Sequence, residues 1–128
     1  MADIVPISTP NAPKGRGPFP QAVAYGGLLF ISGQGPLDPE TSVPRTGSFE
    51  EEARLTLNNV KAIVEAAGGK LSDALNLKIY LIDVSRVPEF NAIYAEYFPD
   101  ARPARTLIEV RLRGIQVEID GVFAIPES

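Results

Sequence analysis

The sequence predicts an α+β protein, a mixed β-sheet with two helices packed on one of its faces. Three observations carry that expectation. Apolar residues recur at spacings of three and four in two stretches, and short β-rich runs surround those stretches. The resulting order is β-β-α-β-α-β-β. A chain of 128 residues suits one core, so residues 1–128 read as one domain.

The lead-in carries Pro6, Pro10, Pro13, Pro18 and Pro20 and reads as irregular chain. From Ala22 to Gly33 two short strands are expected, turned at Gly26-Gly27. Pro36, Pro39, Pro44 and Gly47 make the next stretch a loop. Ser48-Phe49-Glu50-Glu51 has the pattern of a capping box with an acidic first turn. Phe49, Ala53, Leu57, Val60, Val64 and Ala67 continue it as one apolar stripe, and Gly68-Gly69 ends the helix. Leu77 to Ile82 is a β-rich run. Pro88 suits the first turn of a second helix, whose apolar residues are Phe90, Ile93, Tyr94, Tyr97 and Phe98, and Pro99 stops it. Two strands follow, Arg105 to Leu112 and Val117 to Ile125.

Alternation in these last strands assigns faces. Thr106, Ile108, Val110 and Leu112 form the apolar side of the first, expected against the core, with Arg105, Leu107, Glu109 and Arg111 opposite. In the second, Val117, Ile119, Phe123 and Ile125 point one way and Glu118, Asp120, Val122 and Ala124 the other. Two helices cover one face of such a sheet. The mixed second face is therefore expected to pack against other copies in a symmetric oligomer.

Composition limits the chemistry. Without Cys or His, thiolate nucleophiles, disulfides, imidazole bases and the common transition-metal sites are excluded. What remains is Asp, Glu, Arg, Tyr, Ser, backbone amides and water. A net charge of −4 with scattered arginines does not favour nucleic-acid binding. No apolar run is long enough to span a membrane and the amino-terminal residues lack a signal-peptide pattern, so a cytoplasmic protein is expected.

Several residues are candidates for a site. Arg105, entering a strand behind Pro103-Ala104, suits capture of a carboxylate; the plainer reading is a surface or interface salt bridge to a residue such as Glu109. Glu118 and Asp120 share a strand face. Their repulsion raises a carboxyl pKa if the face is buried and does little if it is solvated. Ser32-Gly33-Gln34-Gly35 brings backbone amides near a ligand or makes a plain turn; it lacks the pattern of a phosphate-binding loop. Phe19, in Gly17-Pro18-Phe19-Pro20-Gln21, lines a pocket or seals the core, and Asn91 is a polar cap or an interface contact.

These pieces together resemble the RidA/YjgF family of reactive-intermediate deaminases over nearly the whole chain. The matching stretches are Asn11-Ala12-Pro13, Gly17 to Gln21, Ile31-Ser32-Gly33-Gln34, Leu57 to Gly68, Asn91 to Phe98 and Arg102-Pro103-Ala104-Arg105-Thr106. The resemblance implies a chorismate-mutase-like fold, a homotrimer with sites between subunits, and a small imine, enamine or keto-acid carboxylate as ligand. It implies hydrolysis of 2-aminoacrylate-type enamines and imines to 2-keto acids and ammonia, with neither cofactor nor metal. Arg105 then corresponds to the carboxylate-binding arginine, Glu118 to the carboxylate that orients or activates water, Ser32 and Gly33 to the pocket loop, and Asn91 to the nearby helix asparagine. Phe19 stands where many members have Tyr, and Leu107 where many have Cys. The family's label also carries an endoribonuclease or translation-inhibitor activity. A non-catalytic carboxylate-binding trimer and a pathway-specific deaminase of pyrimidine or aromatic catabolism are the further alternatives.

Overall fold

The computed structural model describes residues 3–127. Six strands, β1 (Ile4–Ile7), β2 (Ala22–Tyr25), β3 (Leu28–Gln34), β4 (Ala74–Leu81), β5 (Ala104–Glu109) and β6 (Val117–Ala124), form one sheet in the order β1-β2-β3-β6-β4-β5. Only the β4–β5 pair is parallel, as expected of strands joined through a helix, so the sheet is mixed and the class is α+β. The helices are α1 (Phe49–Ala66) and α2 (Val87–Tyr97).

α1 begins as its sequence dictates. The Ser48 hydroxyl accepts from the Glu51 amide at 3.1 Å while the Glu51 carboxylate accepts from the Ser48 amide at 3.0 Å. Such a reciprocal cap is worth about 1 kcal/mol. The helix lays Ala53, Leu57, Val60, Ile63 and Val64 on the sheet, against Leu29, Leu77, Ile79, Val117, Ile119 and Phe123, all essentially without solvent contact. α2 adds Phe90 and Ile93 to the same core.

Two expectations are corrected. Ile4–Ile7 is a strand, not irregular lead-in: it pairs antiparallel with β2 in the register Ile4 with Tyr25 through Ile7 with Ala22. Pro6 is accommodated because β1 lies at the sheet edge, where the missing amide breaks little of the ladder.

The faces of β5 are also reversed. Parallel pairing sets Arg105 beside Leu77 and Leu107 beside Ile79, and both β4 residues are buried under the helices. Leu107 therefore packs against the core, whereas Thr106 is exposed and Ile108 is 45% exposed on the open face. The strand itself ends at Glu109, short of the expected Leu112. For β6 the expectation holds: Val117, Ile119 and Phe123 are buried, and Glu118, Asp120, Val122 and Ala124 lie on the opposite face. No helix among the described residues is long and apolar enough to cross a membrane.

Candidate functional site

The expected site residues fall into two clusters. The first surrounds Arg105. Its guanidinium donates to Asn91 Oδ1 at 2.8 Å and stacks over the Tyr94 ring, 4.8 Å from the centroid, with the Phe90 ring at 5.8 Å. Phe90, Asn91 and Tyr94 occupy one face of α2 at helical spacing, so the helix presents a polar acceptor and two aromatic faces to the start of β5. Among the described residues Arg105 makes no salt bridge; the basic partners found are Arg45, Arg54 and Arg86. Its planar cation is held in place, and its charge is not neutralised by a carboxylate of the described chain. Leu107 follows two residues later on the same face.

The second cluster surrounds Glu118. Phe19, Gly33 and Glu118, with Lys14, Arg16 and Ile115, line a pocket of about 200 Å³. Three steps along β3, from Ile31 to Gln34, match two along β6, from Gly121 to Ile119, and the intervening bulge holds Ser32 and Gly33. The bulge turns Gly33 against Glu118 so closely that an alanine Cβ there would stand 2.5 Å from Glu118 Oε2. Ser32 secures the bulge from behind: its hydroxyl donates to the Pro20 carbonyl at 2.7 Å and its amide to the Gln21 carbonyl at 3.0 Å. Ser32 is thus fastened to the segment that carries Phe19. Burial raises the Glu118 carboxyl above its ordinary value, and the nearby Asp120 charge pushes the same way. Asp120 in turn accepts from the Tyr80 hydroxyl at 2.8 Å, a bond that pushes the phenol up to about 12.

The two clusters lie on opposite faces of the sheet. Arg105 shares the helix-covered face with Leu77 and Ile79, and Glu118 shares the open face with Tyr80 and Ile108. The alternation of the sequence predicts both on one face, and the reversal of β5 separates them.

Three buried amides and carboxylates escaped that reading. Gln21 accepts from the Thr9 amide at 2.7 Å and offers its own NH2 to the carbonyls of Thr9, Ala12 and Pro13, shaping the proline-rich segment around Phe19. Glu52, 2% exposed, accepts from the Gln116 amide, the Gln116 side chain and the Gly47 amide. It fastens the chain two residues ahead of Glu118 to α1. Asn59 donates to the carbonyls of Gly35 and Leu37, holding the exit of β3. The available signal was physical: proline-rich loops lack ladder partners for their polar groups, and buried ones must find side chains instead. The cations Lys14 and Arg16 were also missed as pocket residues. Among the described residues no group of three or more acidic side chains is placed to hold a metal ion.

Comparison with known proteins gives concordant results. Residues 9–125 match the sequence model of the family described as Endoribonuclease L-PSP. The RutC family protein PH0854 of Pyrococcus horikoshii is 43% identical over 118 residues, covering 91% of this chain and 94% of that one. A protein of Dermatophagoides farinae named 2-iminobutanoate/2-iminopropanoate deaminase is 36% identical over 121 residues, 93% of this chain and 94% of its own. The crystal structure of E. coli TdcF with bound serine superposes with a TM-score of 0.88 at 32% identity, covering 95% of this chain and 99% of that one. The matched motifs, the mixed sheet under two helices and these likenesses agree, and the chain belongs to the Endoribonuclease L-PSP family, that of RidA and YjgF.

Proposed function

We propose that this chain hydrolyses reactive 2-imino acids, and the enamines that tautomerise to them, to 2-keto acids and ammonia. It does so in the cytoplasm as a homotrimer, with sites between its copies and with no cofactor. The observation that carries this reading is Arg105, a guanidinium oriented by Asn91 and Tyr94 and left without a carboxylate partner among the described residues. Such a group binds the carboxylate of a small acid bidentately. The name of the Dermatophagoides relative and the serine in TdcF, an amino acid with a carboxylate and an amine, support the same substrate class.

The opposite placement of Arg105 and Glu118 supports the assembly. The open face leaves Phe30 44% exposed beside half-buried Val122 and, farther along it on β5, Ile108 45% exposed. Packing these faces together removes apolar surface from water, and because β5 is an edge strand the Arg105 cluster of one copy lies at the sheet rim, within reach of the Glu118 pocket of a neighbour.

In the reaction, Arg105 of one copy fixes the substrate carboxylate, so that C2 lies over Glu118 of the next. Burial makes Glu118 a stronger base than a solvated carboxylate, and it takes a proton from water as the oxygen bonds to C2 of the protonated imine. The C=N π pair moves to nitrogen. The same carboxyl then returns the proton to the amine; ionised again, it takes the hydroxyl proton as C2=O forms and the C–N bond breaks, so that ammonia and the 2-keto acid leave and Glu118 passes that proton to water. An enamine enters after protonation at its terminal carbon. Fixing substrate and water together supplies the orientation that bulk hydrolysis lacks.

The test generates 2-aminoacrylate in situ with a serine dehydratase and follows imine decay and pyruvate formation. Wild type is expected to accelerate both, and Arg105→Ala to lose the acceleration. A folded wild type with no effect overturns the reading. Light scattering that finds a monomer at micromolar concentration overturns the assembly.

RNA cleavage is the second reading, favoured by the family's description alone. It requires a basic surface along the RNA backbone, which a chain of net charge −4 with scattered arginines does not favour. RNA degradation that persists through repeated purification and through Arg105→Ala would favour it.

A further inference from the structure

The imine chemistry above leaves two cations unused. Lys14 and Arg16 line the pocket that holds Glu118. Among the described residues neither forms a salt bridge, with Glu118 or with any other carboxylate.

They are held in a defined turn. Gly15 between them has φ +82°, and the Phe19 ring lies 3.1 Å from where a side chain at Gly15 would begin, so the turn tolerates glycine best. Buried Ser42 anchors both sides of it. Its hydroxyl accepts from the Lys14 amide at 3.1 Å, and its carbonyl accepts from Arg16 Nε at 3.1 Å. Ser42 itself has φ +61°, a left-handed conformation unusual for a residue with a side chain, and such strain clusters where geometry serves a function. With Nε committed to Ser42, the terminal nitrogens of Arg16 have no protein partner among the described residues.

A substrate with one carboxylate is fully matched by Arg105 and has no use for this second positive wall. A substrate with a carboxylate at each end uses both. We infer that the pocket takes 2-imino dicarboxylates, with Arg16 binding the distal carboxylate and Lys14 adding charge at its side. This names the substrate class of the site and rests on the deaminase reading above.

Iminosuccinate and 2-iminopropanoate serve as probes. They are made from L-aspartate and L-alanine with amino-acid oxidases and catalase, and unhydrolysed imine is trapped with semicarbazide. The quantity read is the ratio of kcat/KM for the dicarboxylate to that for the monocarboxylate. Wild type is expected to favour iminosuccinate, and Arg16→Gln to lower the ratio about tenfold, the effect of losing one charge-assisted contact. Lys14→Gln lowers it less. The wild-type ratio also falls as salt rises from about 0.05 to 0.5 M, because an exposed cation is screened; this second readout does not depend on how any variant folds. Hydrolysis of 2-iminopropanoate with a ratio that neither salt nor Arg16→Gln changes overturns the dicarboxylate subsite and leaves the deaminase reading standing. An Arg16→Gln protein that changes assembly size at unchanged ratio assigns Arg16 to a contact between copies, which also overturns it. A folded wild type that hydrolyses neither imine overturns both.

Discussion

Gly33→Ala tests whether the position of the Glu118 carboxylate governs turnover. The added Cβ would stand 2.5 Å from Glu118 Oε2 and 3.0 Å from Cδ, and ordinary contact begins near 3.4 Å. The carboxylate must therefore retreat by about 0.9 Å, a displacement of the size that costs roughly a hundredfold in rate when it moves a reacting group. Folding should hardly register the change. Gly33 does not have a positive φ, the clashing atoms end a flexible side chain, and alanine stiffens the unfolded chain. The unfolding free energy from urea titration should then change by less than about 1 kcal/mol. The assay is 2-iminopropanoate hydrolysis by wild type, Gly33→Ala, Glu118→Ala and the double variant. Gly33→Ala should lose between about thirtyfold and a hundredfold in kcat/KM, yet change little when Glu118 is already alanine, since nothing is then left to displace. A Gly33→Ala variant within threefold of wild type would refute the reasoning. So would an equal loss in both backgrounds.

Other outcomes follow from the same geometry. Asn91→Asp sets a carboxylate beside the Arg105 guanidinium, where the amide oxygen now accepts at 2.8 Å. The new charge competes with the substrate, so KM should rise at least about tenfold in steady-state kinetics. Glu118 has a folded-state pKa above its ordinary 4.5, so its ionisation opposes folding. Its favourable contribution is complete below 4.5 and is lost as pH rises through the folded value. Glu118→Gln should therefore match wild type in thermal stability near pH 4 and exceed it at pH 7, while imine hydrolysis falls. Glu52→Ala leaves the Gln116 and Gly47 amides without their acceptor in a buried place and should cost about 2–4 kcal/mol in urea unfolding. Glu52→Gln, which keeps one acceptor, should cost less.

Much of the scaffold was legible because it is local. The Ser48 capping box, the stripe from Phe49 to Val64 and the Gly68 stop lie within one stretch of chain, and each stabilises a helix through neighbours three or four residues away. The β2–β3 hairpin and the fully alternating β6 were readable for the same reason. The candidate site residues are proposed from short motifs, and the structure groups Arg105 with Asn91, and Phe19 with Gly33 and Glu118.

What the tertiary structure decided depends on partners distant in sequence. Ile4–Ile7 has no strand pattern of its own strength and becomes a strand because β2 offers it a ladder. The 105–109 stretch alternates two mixed faces, Arg-Leu-Glu against Thr-Ile, and hydrophobicity alone ranks the wrong one inward. The parallel register with β4 settles it, since Leu77 and Ile79 carry Arg105 and Leu107 to the helix side. One residue of parity thereby places Arg105 and Glu118 on opposite faces of the sheet. Sequence alone determined which side chains this protein has for its chemistry. Only strand pairing, a contact between segments far apart in the chain, decided which of them meet within one subunit.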